Sequence, residues 1–129
     1  MAYRVLGILD RAYRGAVEAQ FFDALYGVLD FRTQLGGVDL ALRGGAVTLA
    51  VDEHAYRPVV DLGPLHLDGL PDYRATVREL VAEGIGVHAD ERDLAALGFG
   101  PADLVPGVSC VDTSAMAARW TDYDGVWFV

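Results

Sequence analysis

Two residues apart, His88 and Asp90 form a His-x-Asp pair at the end of the apolar run IGVHA. Such a pair can orient a substrate, shuttle a proton or supply two metal ligands. Its plainer reading has Asp90 capping a helix that begins near Glu91, with His88 satisfying a backbone carbonyl. His54 and His66 are too scattered in sequence to complete a ligand set, so no metal and no cofactor are expected. Cys110 stands near the end of another apolar run, just ahead of a helix start. A thiol so placed can have a depressed pKa and act as a nucleophile or sulfur carrier, which makes Cys110 the catalytic candidate. Free cysteine is also among the most buried residue types. Because Cys110 lies between Ser109 and Val111 inside the run, a packing role is favoured. Asp10 and Arg11 follow the first apolar run, and Asp112 follows Cys110 closely.

Other features carry less chemistry. Arg43-Gly44-Gly45 superficially suggests a phosphate cradle, yet it lacks both the GxGxxG and Walker patterns and reads as a turn where backbone meets helix. Asp52-Glu53 and the run Asp90-Glu91-Arg92-Asp93 read as solvated helix ends. Trp127-Phe128 is large for an edge strand: core if the last helix covers it, a subunit contact otherwise.

Bulk composition bounds the function classes. At 129 residues, 53% of them hydrophobic, the chain is expected to form one domain over 1–129 with a substantial core. The net charge of -9 argues against direct nucleic-acid binding, which needs a basic face. All ten basic residues are arginine, so Schiff-base chemistry and a P-loop lysine are both excluded. One cysteine permits no intrachain disulfide and no cysteine-rich metal site. The N-terminal stretch MAYRVLGILDRAYRG lacks the pattern of a signal peptide, and no run approaches a membrane span. A cytoplasmic, membrane-free location is the expectation.

The elements that would position these residues alternate. Strands are predicted at Tyr3 to Leu9, Val38 to Leu42, Ile85 to Ala89, Val108 to Val111 and Gly125 to Val129. A helix is predicted from Ala16 to Leu35, its stripe built on Val17, Phe21, Phe22, Leu25, Val28 and Leu29, and stopped by Gly36-Gly37. AVTLAV at 46–51 has strand composition but follows a glycine pair. Residues 55–72, with three prolines, read as an irregular excursion. Pro71 opens a helix ending at Gly84, a short helix follows from about Glu91 to Leu97, and Asp112-Thr113-Ser114 caps one running to about Trp120. Strands alternating with helices imply an α/β fold, a three-layer α/β/α domain on a five-stranded parallel sheet. Near-continuous apolar strands agree. With a strand order of 2-1-3-4-5, the carboxyl edge would gather Asp10, Arg11, His88, Asp90, Cys110 and Asp112.

Three stretches, EAQFFDALYGVLDFRTQLGGVDLALRGGAVTLAV, GIGVHADERDLAALGF and ADLVPGVSCVDTSAMAARWTDYDGVWFV, together resemble the DsrE/DsrF/DsrH family, which includes the TusBCD sulfur-relay subunits. The resemblance implies the same parallel α/β/α domain, assembly into dimers, trimers or hexamers or with paralogous subunits, and a helix at AVTLAV. It also implies a persulfide-carrying cysteine just after the third strand. This chain has His88-Ala89-Asp90 there, and Cys110 belongs to the fourth strand. The leading expectation is therefore an assembly or small-ligand-binding subunit in sulfur-related metabolism, with Asp10, Arg11, His88 and Asp90 as binding candidates. Alternatives are a sulfurtransferase working through Cys110 and a metal or anion site at His88 and Asp90.

Overall fold

The computed structural model describes residues 3–12, 25, 27–28, 34–52, 59–68 and 72–129. Five parallel strands make the sheet: β1 (Arg4–Leu9), β2 (Gly37–Leu42), β5 (Val87–Asp90), β6 (Ser109–Val111) and β7 (Gly125–Phe128). Between β2 and β5 lie a 3-10 helix (Gly44–Ala50), an antiparallel hairpin of β3 (Val60–Leu62) and β4 (Leu65–Leu67), and helix α1 (Tyr73–Ala82). Helix α2 (Glu91–Ala96) links β5 to β6, and α3 (Thr113–Ala118) with a 3-10 turn at Trp120–Asp122 links β6 to β7. No helix among the described residues is long and apolar enough to cross a membrane.

The α/β class and the five parallel strands follow the sequence reading; the strand order does not. The observed order is β6-β5-β2-β1-β7, so β2 sits between β1 and β5 where the predicted order joined the first and third strands directly. Handedness turns this order into an uneven sandwich. From β1 to β2 to β5 to β6 the chain steps steadily one way, so right-handed crossovers put all the intervening helices on one face. From β6 it returns across the sheet to β7, and that crossover lies on the opposite face.

Side-chain alternation sorts the core accordingly. The thick face packs Leu9, Val38, Leu40, Leu42, Val87 and Ala89 beneath Val77 and Leu80 of α1, Leu94 of α2 and residues 46–50. Each fully buried leucine there contributes roughly 1.5–3 kcal/mol. The thin face buries Leu6, Ile8, Ala41 and Met116, with Val111, Trp120, Tyr123 and Val126 at its margin.

Local chemistry accounts for the element boundaries. Asp72, Asp90 and Asp112 each cap the helix that follows, their carboxylates accepting from backbone N–H groups of its first turn. The run at 46–51 is helical despite its β-branched composition, because Ala46, Val47, Leu49 and Ala50 are all buried against the thick face. Within the Pro-rich excursion the hairpin is regular: Gly63, at φ 63, takes the left-handed position of a two-residue turn. Of the predicted first helix, Leu25, Gly27 and Val28 are helical, with Leu25 and Val28 buried. Val17, Phe21, Phe22 and Leu29 lie outside the described residues, as do His54 and Pro71.

Candidate functional site

Ligands in open parallel sheets bind beyond the carboxyl ends of the strands, where neighbouring strands send their connections to opposite faces. Here that point lies between β5, whose connection α2 packs on the thick face, and β6, whose connection α3 crosses the thin one. A cleft of about 140 Å³ opens there on the thin face. Its floor is apolar, formed by Ile8, Ala41, Val111, Met116 and Trp120, and its polar groups are Arg43, His88, Asp90 and Thr113.

His88 reaches the cleft because β5 alternates: Val87 and Ala89 belong to the thick-face core, leaving His88 and Asp90 on the other side. His88 is only 8% exposed, and its Nδ1 is buried with no hydrogen-bond partner among the described residues. Burial foremost, then the Arg119 charge, lowers its pKa from the ordinary value of 6.5, against an opposing pull from Asp39. The ring is therefore neutral at pH 7. Asp39 itself accepts from the Tyr123 hydroxyl at 2.6 Å and from the Gly86 amide at 3.0 Å. Burial and that carboxylate push the Tyr123 phenol up to about 12, so it stays protonated.

Asp90 clasps the two elements flanking the cleft. Its Oδ1 accepts from the Asp93 amide at 3.0 Å, and its Oδ2 accepts from the Thr113 hydroxyl at 2.7 Å. Both carboxylate oxygens are thus engaged, and the bond to Thr113 crosses from the end of β5 to the start of α3. Arg43, at the end of β2, pairs through Nε with Asp10 at the end of β1. Its guanidinium carbon lies 5.9 Å from the Trp120 ring centre and 5.2 Å from that of Phe128. The bond to Asp10 raises the Arg43 pKa still further above its ordinary value, so the cation persists at any working pH. Behind it, Gly44 at φ 56 donates its amide to Asp93 at 2.7 Å, and a Cβ at that position would meet the Asp10 carbonyl oxygen at 2.7 Å. Only glycine fits this turn.

The predicted residues divide. His88 and Asp90 line the cleft; Asp10 reaches it only through Arg43; Arg11 is exposed at the end of β1 and takes no part in the lining. Cys110 points elsewhere. It pairs with Ala89 while His88 pairs with Ser109, so the thiol packs against the thick-face core, on the opposite side of the sheet from the imidazole. Burial, followed by the charges of Glu91 and Asp90, raises its pKa, the wrong direction for a nucleophilic thiolate. The expected convergence of His88 with Cys110 is therefore not present. Asp112 is spent on the N-terminus of α3. No group of three His, Cys, Asp or Glu side chains suited to a metal occurs among the described residues.

Sequence reading set Arg43 aside as part of a turn and missed Met116 and Trp120. The signal for Arg43 was its place at the carboxyl end of a predicted strand, the same rule that singled out Asp10 and Asp90.

No family model and no curated protein matches this sequence. Solved structures do. The ychN protein from E. coli aligns over 100% of both chains at 18% identity and a TM-score of 0.73. MTH1491 from Methanobacterium thermoautotrophicum, a protein of unknown function, aligns over 98% of this chain and 99% of its own at 19% identity and a TM-score of 0.69. The likeness shows the fold, in support of the DsrE-like architecture expected from the sequence.

Proposed function

We propose that this chain is a small-ligand-binding subunit of DsrE-like build that acts in sulfur-related metabolism without a carrier thiol at its ligand site. One observation carries the binding role: the cleft at the switch point joins an apolar floor to a nearly buried imidazole that makes no hydrogen bond with a described residue. Buried polar atoms in folded proteins are nearly always satisfied, and a bound molecule is one way to supply what His88 lacks. The volume, well under the roughly 300 Å³ of a drug-sized pocket, suits a compound of a few heavy atoms. The sulfur context and the cytoplasmic location rest on the family resemblance and the sequence reading alone.

Trp120 gives a direct test. Replacing Trp127 by Phe leaves it the sole tryptophan. Titrating that variant with small neutral, anionic and cationic compounds should produce a saturable change in its emission for at least one class. No saturable change with any of them ends the reading. Sulfur transfer by Cys110 is tested separately by persulfide labelling and mass spectrometry of wild type and Cys110→Ser; a stable adduct on Cys110 would reinstate it.

Assembly belongs to the same proposal, as a homo-oligomer or with paralogous subunits. Its support is apolar surface in two places: Leu62, Leu65 and Leu67 on the hairpin, and Trp127, Phe128 and Val129 along the sheet edge. Light scattering should give a multiple of 13.9 kDa at micromolar concentration, and the monomer mass would overturn it.

A further inference from the structure

The hydrogen-bonding capacity left open around the cleft has a sign. Both rim carboxylates are taken: Asp10 by Arg43, and Asp90 by the Asp93 amide and the Thr113 hydroxyl. Arg43 uses only Nε in its ion pair, and its terminal nitrogens make no hydrogen bond with a described residue. A cationic ligand would therefore meet Arg43 in the lining and carboxylates that already hold partners. Even the aromatic face that could hold a cation, Trp120, already lies under the Arg43 guanidinium. A purely apolar ligand would leave both Arg43 and His88 unsatisfied.

We infer that the cleft takes a small organic monoanion, its charged head held between Arg43 and His88 and its apolar body laid on Met116 and Trp120, and that binding brings a proton onto His88. This rests on the reading of the cleft as a ligand site and deepens it. The proton follows from the surroundings of the imidazole. Arg119 at the end of α3 and Arg43 at the end of β2 are cations near it, and Arg4 of β1 lies 3.6 Å from the Asp39 carboxylate. Asp39 on β2 is held by Tyr123 and Gly86, Asp90 on its own strand is engaged as above, and β6 brings Ser109 and Val111, neither of them titratable. With the cleft empty, the pull of Asp39 does not offset burial and the Arg119 charge. A carboxylate arriving beside the ring does so, and the imidazolium then donates to the ligand. Binding so linked to proton uptake strengthens as pH falls, approaching tenfold per pH unit, and levels off once the free ring is itself protonated.

Three compounds with one four-carbon body separate the possibilities: butyrate, butyramide and butylamine. Each is titrated into the wild-type protein between pH 5.5 and 8, following the His88 ring nitrogens by NMR. Butyrate should bind at least about tenfold more tightly than either of the others at pH 6, as expected for charge-assisted hydrogen bonds, and should convert His88 to imidazolium. His88→Gln should remove the pH dependence, and Arg43→Gln should weaken butyrate while Arg43→Lys restores part of the loss. Should His88→Gln not fold, the wild-type ring spectra still decide.

Butyramide binding as well as butyrate overturns the anion while leaving the cleft a ligand site. Preferred binding of butylamine does the same. Butyrate affinity independent of pH, or His88 remaining neutral in the complex, overturns the proton uptake. If none of the three perturbs His88 or saturates, the inference falls, and the Trp120 titration with its broader set decides whether the binding role falls with it.

Discussion

The two faces of the sheet share the same five strands and are covered to different depths. On the thick face, side chains from α1, α2 and the 3-10 helix seal Leu40, Leu42 and Val87 in continuous apolar packing. On the thin face the cover over Leu6, Ile8 and Ala41 comes chiefly from Met116 and its neighbours on the single β6-to-β7 crossover. The difference arises from handedness applied to strand order, since three crossovers fall on one side and one on the other. A face covered by one short helix cannot close over every strand end, and the gap it leaves is the cleft. Stability is concentrated on the thick face and ligand chemistry on the thin one.

Mutations can break or sharpen this contrast. The largest effect should come from the thick face. Leu80 is fully buried, and Leu80→Ala should cost about 2–5 kcal/mol in urea denaturation while leaving ligand affinity unchanged in the folded fraction. Met116→Ala, whose side chain borders open volume, should cost about 2 kcal/mol or less and should weaken binding. Equal stability losses from the two would erase the contrast.

Asp90→Ala should come next, at about 1–2 kcal/mol, because it removes the α2 cap and the hydrogen bond from the Thr113 hydroxyl. Faster hydrogen exchange in both α2 and α3 is the expected signature, since the carboxylate ties them together. Protection lost in α2 alone would mean that the bond to Thr113 contributes nothing.

The smallest effect is a pH dependence. Folding lowers the His88 pKa, so below its ordinary 6.5 the unfolded chain binds a proton that the native ring resists. Stability should be flat with respect to this group above that pH and decline as pH falls beneath it. His88→Gln should flatten the decline, and an unchanged profile in the variant would show that His88 is not its source.

Much of the thick face was legible in the sequence. Strands buried on both sides must be apolar throughout, so β1, β2 and β5 stand out as short aliphatic runs, and the caps at Asp90 and Asp112 follow from the residue type required there. Strand order was not legible, because every strand looks alike to a pattern that records only burial. The misplaced order joined β1 to β5 and so hid Arg43, which occupies the edge between Asp10 and Asp90. The packing role favoured for Cys110 agrees with its place against the core, but its expected convergence with His88 fails through alternation: a one-residue offset between His88 and the partner of Cys110 decides which face each side chain meets. The hairpin was lost among prolines because Gly63-Pro64 marks a turn but says nothing of the short strands around it.

The most direct measurement is a crystal structure of the protein soaked with butyrate near pH 6. Density for the compound between the guanidinium of Arg43 and the ring of His88, with its alkyl chain over Met116, is the predicted result. An empty cleft with butyrate seated against the thick face, or near Cys110, would contradict the assignment of ligand chemistry to the thinly covered side.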